Sequence, residues 1–218
     1  MQLPPGRFDG PPREKILNAP AVAVLLALSM PALFLVQQRL PDGGFSYAFL
    51  PSSLVYGDWW PGLFSTMLVH GGWGHVAANA IAALAFGPPV ARLFPGLRGA
   101  ATFLAFYIVC GLVASLGYGL VHLASNDPVV GASGAVFGLM GAALRLLGSR
   151  QGRLRAITDR RVLTAAVVIM GVNAATGLIG FAPGVEGARI AWEAHAAGFV
   201  FGLLAIGPVA RLFGQRPS

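Results

Sequence analysis

A chain of 218 residues is long enough for one domain with a sizeable core, yet 56% of its residues are hydrophobic and only 11% are charged. A soluble domain carries about 25% charged residues, so most soluble folds are excluded and a membrane protein is indicated. The formal charge of +7 does not make the chain a nucleic-acid binder, because its basic residues flank apolar runs instead of gathering on one solvated face.

A helix needs about 20 mostly apolar residues to cross a bilayer. Six stretches qualify, near 19–37, 74–94, 100–123, 130–148, 162–181 and 191–213, with residues 1–18 as an N-terminal segment and 214–218 as a tail. The first stretch is read as a retained span and not a removable signal peptide, since its apolar core is long and no small-x-small cleavage site follows it. Residues 38–73 form the one long connection, and Trp59, Trp60 and Trp73 within it point to the membrane interface. The second span carries His75 and Asn79, four residues apart and so on one helical face. The third ends at His122 and contains the single cysteine, Cys110, which reads as a packing residue. The fourth opens with "PVVGASGAVFG", residues 128 to 138, in which Ser133 stands among glycines. The fifth contains Asn173 and Thr176, read as satisfying backbone or neighbouring helices. In the sixth, Glu193 faces away from His195, while Gly198 and Gly202 share the histidine's face at offsets of 3 and 7.

Orientation follows from the lysines and arginines of alternate connections. The N-terminal segment, the second loop, the six arginines from Arg145 to Arg161 and the C-terminal end with Arg211 and Arg216 hold 13 of these residues, against Arg39 and Arg189 on the other side. Both termini are therefore expected in the cytoplasm. The second, fourth and sixth spans then begin at the outer face. At about 1.5 Å of rise per residue, this puts His75, Asn79, Ser133 and His195 at one shallow depth.

Polar groups inside spans are costly and count as functional candidates. Taken singly, Ser133 reads as a helix-start cap, His195 as a neutral buried histidine and Asn79 as an interhelical hydrogen bond worth about 1 kcal/mol. Taken together at one depth, they suggest chemistry. A serine becomes a nucleophile when a histidine accepts its proton and donors stabilise the oxyanion that forms. The soluble G-x-S-x-G elbow is absent, because Ala135 occupies its last glycine position. Backbone N–H groups at a helix start have no intrahelical partners and are free to meet an oxyanion, and Gly131 and Gly134 leave room for a substrate backbone.

Three motifs carry a resemblance. "HGGWGHVAAN" gives H-x4-H-x3-N at His70, His75 and Asn79; "GASG" gives G-x-S-G at Ser133; "AHAAGFVFG" gives A-H-x2-G-x3-G at His195. In that order, over residues 59 to 202, the chain resembles the rhomboid intramembrane serine proteases. The resemblance implies an all-α membrane protein built as a six-transmembrane-helix bundle with both termini cytoplasmic. It further implies a Ser133–His195 dyad without an acidic third member, and an oxyanion hole of His75, Asn79 and the Ser133 backbone amide. His70 matches a structural histidine of the first loop, Phe137 the aromatic residue packed on the catalytic histidine, and Gly198 and Gly202 the close contact with the fourth helix. The first loop reads "DWWPGLF", without the arginine that family members often carry beside the tryptophan.

The activity expected is endoproteolysis of single-span membrane proteins near the outer face, with no metal or organic cofactor and no nucleic acid. Helix-bound carbonyls are hydrogen-bonded, so the substrate must unwind locally. A non-catalytic rhomboid-like protein that binds membrane clients is the alternative; a transporter would place its polar groups nearer the midplane. Arginine outnumbers lysine 14 to 1, a coding bias of GC-rich bacterial genomes, which points to a bacterial cytoplasmic membrane. No sequence feature sets an oligomeric state.

Overall fold

The computed structural model describes residues 19–57, 61–149, 153–180 and 190–214. Trp59, Trp60, Arg189, the basic residues of the N-terminal segment and residues 215–218 of the tail lie outside the described residues. In chain order the helices are α1 (Ala21–Gln37), α2 (Ser53–Tyr56), α3 (Gly62–Ser65), α4 (Trp73–Ala91), α5 (Gly96–Val121), α6 (Ser133–Leu144), α7 (Arg160–Ile179) and α8 (Trp192–Phe213). Among the described residues the sole extended pairing is a bridge between Phe49 and Val129. The architecture is all-helical, and its six longer helices fall on the six apolar stretches.

Helix α6 is the centre of the bundle. It packs against α4, α5 and α8, and nine of its twelve residues are buried, among them Ala135, Val136 and Leu139. Its contact with α8 is made backbone to backbone. A β-carbon on Gly198 would collide with the Gly134 carbonyl, and one on Gly202 with the Gly138 carbonyl. Small residues let membrane helices approach this closely, and here they draw the start of α8 onto the start of α6. Helix α7 is the outlier. Of its twenty residues only Val162 and Asn173 are buried, while Val167, Leu178 and Ile179 are more than two-thirds exposed. Apolar exposure continues over Leu25, Leu28, Leu97 and Leu212, a surface suited to lipid and not to water.

By length and composition α5, α7 and α8 can cross a membrane, whereas α1 and α6 are apolar but shorter. Helix α6 is trimmed at both ends relative to the expected 130–148. Before it, the chain runs extended: Val129 pairs with Phe49 (Phe49 N to Val129 O 3.0 Å), Thr66 Oγ1 donates to the Val129 carbonyl at 2.5 Å, and Gly131 N donates to the Thr66 carbonyl at 2.9 Å. After it, residues 145–149 tighten into successive three-residue turns that end at Gly148, with φ +67°. A helix enclosed by protein has no bilayer thickness to match, so twelve residues suffice.

The described parts of the long connection are tied in place by hydrogen bonds. The Gln37 side chain at the end of α1 donates to the carbonyls of Gly43 and His70, both at 2.8 Å, and accepts from the His70 amide at 2.8 Å. Through Thr66, this connection also fixes the backbone that leads into Ser133.

Candidate active site

Ser133 is the first residue of α6, and its N-cap neighbour Ala132 offers no side-chain cap. Ser133 is thus not the N-cap of its own helix, and its hydroxyl faces α8. It lies 2.7 Å from Nε2 of His195, which stands in the first turn of α8. The two residues are 62 apart in sequence, and the glycine contact between α6 and α8 brings them together.

Two further contacts hold the imidazole. The Phe137 ring, one turn along α6 from Ser133, stacks on it with centroids 4.3 Å apart and planes inclined by 6°. On the other edge, His195 Nδ1 lies 2.8 Å from Asn173 Oδ1 of α7, and Asn173 Nδ2 donates to the Trp192 carbonyl at 2.9 Å. Asn173 is expected from the sequence to bond to backbone or a neighbouring helix. It does so, and it also grips the histidine. The signal available was its polarity within an apolar span, but no motif surrounds it. Thr176 bonds back to the carbonyls of Val172 and Asn173.

His75 and Asn79 come from the first two turns of α4. The Gly71 amide donates to His75 Nδ1 at 3.4 Å, which leaves Nε2 to carry the ring proton. The Nε2 edge lies against Gly131: a β-carbon there would be 2.6 Å from His75 Cε1 and Nε2. Asn79 is buried, and its Nδ2 donates to the His75 carbonyl at 3.0 Å. His70 sits behind His75, ring to edge, with centroids 5.3 Å apart. It is buried, and neither of its ring nitrogens meets a hydrogen-bond partner among the described residues. Gly134 packs against Ala114, and Gly198 and Gly202 lie against α6 as described.

These groups surround a cavity of about 1110 Å³ lined by His75, Asn79, Gly131, Ser133, Phe137, Asn173 and His195. Residues of α7, including Val168, Val172 and Thr176, form part of its wall. Glu193 does not serve His195; its Oε1 lies 3.3 Å from His122 Nε2 at the end of α5. The arrangement offers a hydroxyl, an imidazole acceptor and amide and imidazole donors around one cavity, the set that acyl transfer requires.

The rhomboid domain model matches residues 56–211. The rhomboid protease GluP of Bacillus subtilis is 32% identical over 170 residues, which cover 76% of this chain and 30% of that protein. RHOMBOID-like protein 9, chloroplastic, of Arabidopsis thaliana is 32% identical over 141 residues, covering 60% of this chain and 30% of that protein. The chain thus spans under a third of the length of these relatives. The matched domain takes in α4 through most of α8 and every residue of the cavity wall from His75 to His195. With apolar helices long enough to cross a bilayer, the chain is a multi-pass membrane protein and belongs to the rhomboid family.

Proposed function

We propose that this protein is an intramembrane serine endopeptidase that cuts single-span membrane proteins near the outer face, with Ser133 as nucleophile and His195 as general base. The observation that carries this reading is the 2.7 Å contact between Ser133 Oγ and His195 Nε2 at the wall of the cavity. The Ser133 hydroxyl donates to Nε2, which takes its proton as Oγ attacks the scissile carbonyl carbon. The carbonyl oxygen becomes an oxyanion, stabilised by the Ser133 backbone amide, His75 Nε2–H and the Asn79 side-chain amide. When the C–N bond breaks, the imidazolium returns its proton to the leaving amine, and the acyl group stays on Ser133 as an ester. Water then attacks that ester with His195 again as base, which restores the free serine.

The six-span topology with cytoplasmic termini is part of the same proposal. It rests on the asymmetry of basic residues and on six longer helices whose second, fourth and sixth members open toward the cavity. Water reaches the site from the outer side, and a substrate helix unwinds locally to present a carbonyl, so small or helix-breaking residues are favoured near the cut. A bacterial cytoplasmic membrane is the location that fits the residue usage. The chemistry draws on serine, histidine and amide groups alone, without a cofactor.

The test is cleavage of a labelled single-span substrate in proteoliposomes. Ser133→Ala and His195→Ala abolish cleavage, while Asn79→Ala reduces it about 10²- to 10³-fold, the usual cost of one oxyanion donor. Cleavage by Ser133→Ala sinks the dyad. A wild-type protein that binds several helix-destabilised substrates and cuts none is a client-binding protein instead.

A further inference from the structure

We propose that Asn173 is a positioning residue: it sets the tautomer of His195 and makes the readiness of the base depend on where α7 lies. The inference rests on the reading of Ser133 and His195 as nucleophile and base.

Hydrogen-bond logic fixes the chain of assignments. The Trp192 carbonyl can only accept, so the Asn173 group facing it at 2.9 Å must be the NH₂. The amide oxygen is then the atom 2.8 Å from His195 Nδ1. An amide oxygen can only accept, so Nδ1 must carry the proton. A neutral imidazole with its proton on Nδ1 leaves Nε2 as an acceptor, and that is the nitrogen 2.7 Å from the Ser133 hydroxyl. One backbone carbonyl at the start of α8 thereby determines, through Asn173, the direction in which the serine proton moves. When Nε2 takes that proton, the Nδ1–H···Oδ1 bond is kept, so the ring need not turn during the reaction.

Placement argues the same way. Asn173 and Val162 are the buried residues of α7, and a polar amide held in an apolar setting is costly unless both of its ends are bonded. Both ends are. The group that in soluble enzymes comes from a carboxylate is here a neutral amide, and Glu193, the carboxylate nearest in sequence, is engaged with His122. Because α7 is otherwise so exposed, this bond and the packing of Gly177 on the Trp192 ring are what tie it to the first turn of α8.

The experiment uses the full chain in proteoliposomes, with kcat and KM measured for a labelled single-span substrate across pH, alongside thermal unfolding. Asn173→Leu keeps the branched shape of the side chain and removes its acceptor and its donor; Asn173→Asp restores an acceptor and adds charge. The expected result is a kcat lowered about 10- to 10²-fold in Asn173→Leu, the worth of one hydrogen bond to a group that becomes charged, with KM within about twofold of wild type. In Asn173→Asp most of kcat returns, and the acid limb of the pH profile moves to higher pH, because a carboxylate beside Nδ1 favours the imidazolium and the base is freed only in more alkaline solution. A folded Asn173→Leu with wild-type kcat overturns the proposal, as does an Asn173→Asp that is no better than leucine. If Asn173→Leu does not fold, Asn173→Asp decides: a raised acid limb with retained kcat supports the role, and an unmoved limb overturns it. Ser133→Ala and His195→Ala run in parallel. Cleavage by either sinks the dyad itself, whereas two inactive dyad variants beside a normal Asn173→Leu sink the positioning role alone.

Discussion

The Phe137 ring lies parallel to the His195 imidazole, with centroids 4.3 Å apart and planes 6° apart. Ser133 and Phe137 are one turn apart on α6, so a single helix carries the hydroxyl and the plate against which its acceptor rests. A stacked pair of this kind is worth about 0.5–1.5 kcal/mol, which corresponds to roughly 2- to 10-fold in rate if all of it serves orientation. Phe137→Leu is therefore expected to lower kcat by that factor, and Phe137→Tyr to preserve it. Steady-state cleavage in proteoliposomes measures the difference, and equal kcat for the leucine variant and wild type removes the orienting role.

Gly131 has φ +120°, in the left-handed half of backbone space, and the His75 ring fills the place where its β-carbon would be. Gly131→Ala meets both obstacles. The backbone strain costs about 1–3 kcal/mol, and His75 must move away from the cavity. A lower thermal midpoint and slower labelling of Ser133 by a fluorophosphonate are expected together. His75→Ala added to Gly131→Ala relieves the clash but not the strain, so the double variant stays below wild type in midpoint. Full recovery of the midpoint locates the whole cost in the clash.

The sequence makes the apolar stretches, the shared face of His75 and Asn79 and the glycine face of the sixth span readable, because each depends on local spacing along one helix. The ends of α6 are less readable. Its start is set by Thr66 and Phe49, more than sixty residues away, which hold residues 129–131 extended, and its end by the turns of residues 145–149. Asn173 was the least readable, since its partner on α8 is known only once the tilt of α7 against α8 is fixed. Hydropathy reports which residues avoid water; it says little about which polar atom meets which.

Gly202 and Gly171 give a matched pair of substitutions. A β-carbon on Gly202 would meet the backbone of Gly138, whereas one on Gly171 would have nothing within 4 Å. Backbone does not yield as a flexible side chain does, so Gly202→Ala forces α6 and α8 apart at a cost of about 1–3 kcal/mol. The separation is felt two turns away, where Ser133 meets His195. Gly171→Ala instead gains about 0.4–1 kcal/mol from reduced freedom of the unfolded chain. Thermal unfolding in detergent should show the midpoints moving in opposite directions, with cleavage lost only in Gly202→Ala; a Gly202→Ala variant as stable and active as wild type is incompatible with a contact this close.

His70 supplies a pH dependence of stability. It lies in the connection before α4, 1% exposed, and its ring nitrogens meet no partner among the described residues. Burial, reinforced by the neighbouring His75, lowers its pKa from the ordinary 6.5 to about 4. The folded protein therefore keeps His70 neutral at pH values where the unfolded chain already binds a proton there. Stability from this group is intact above pH 6.5 and is lost progressively as pH falls from 6.5 towards 4, where the folded state protonates as well. At about 1.36 kcal/mol per unit of difference, the loss amounts to about 3 kcal/mol at most. His70→Phe fills the same space with a ring that does not titrate, so its thermal midpoint should fall less than that of wild type between pH 7 and pH 4.5. Midpoints of the two proteins that decline in parallel across this range assign the acid sensitivity to other groups.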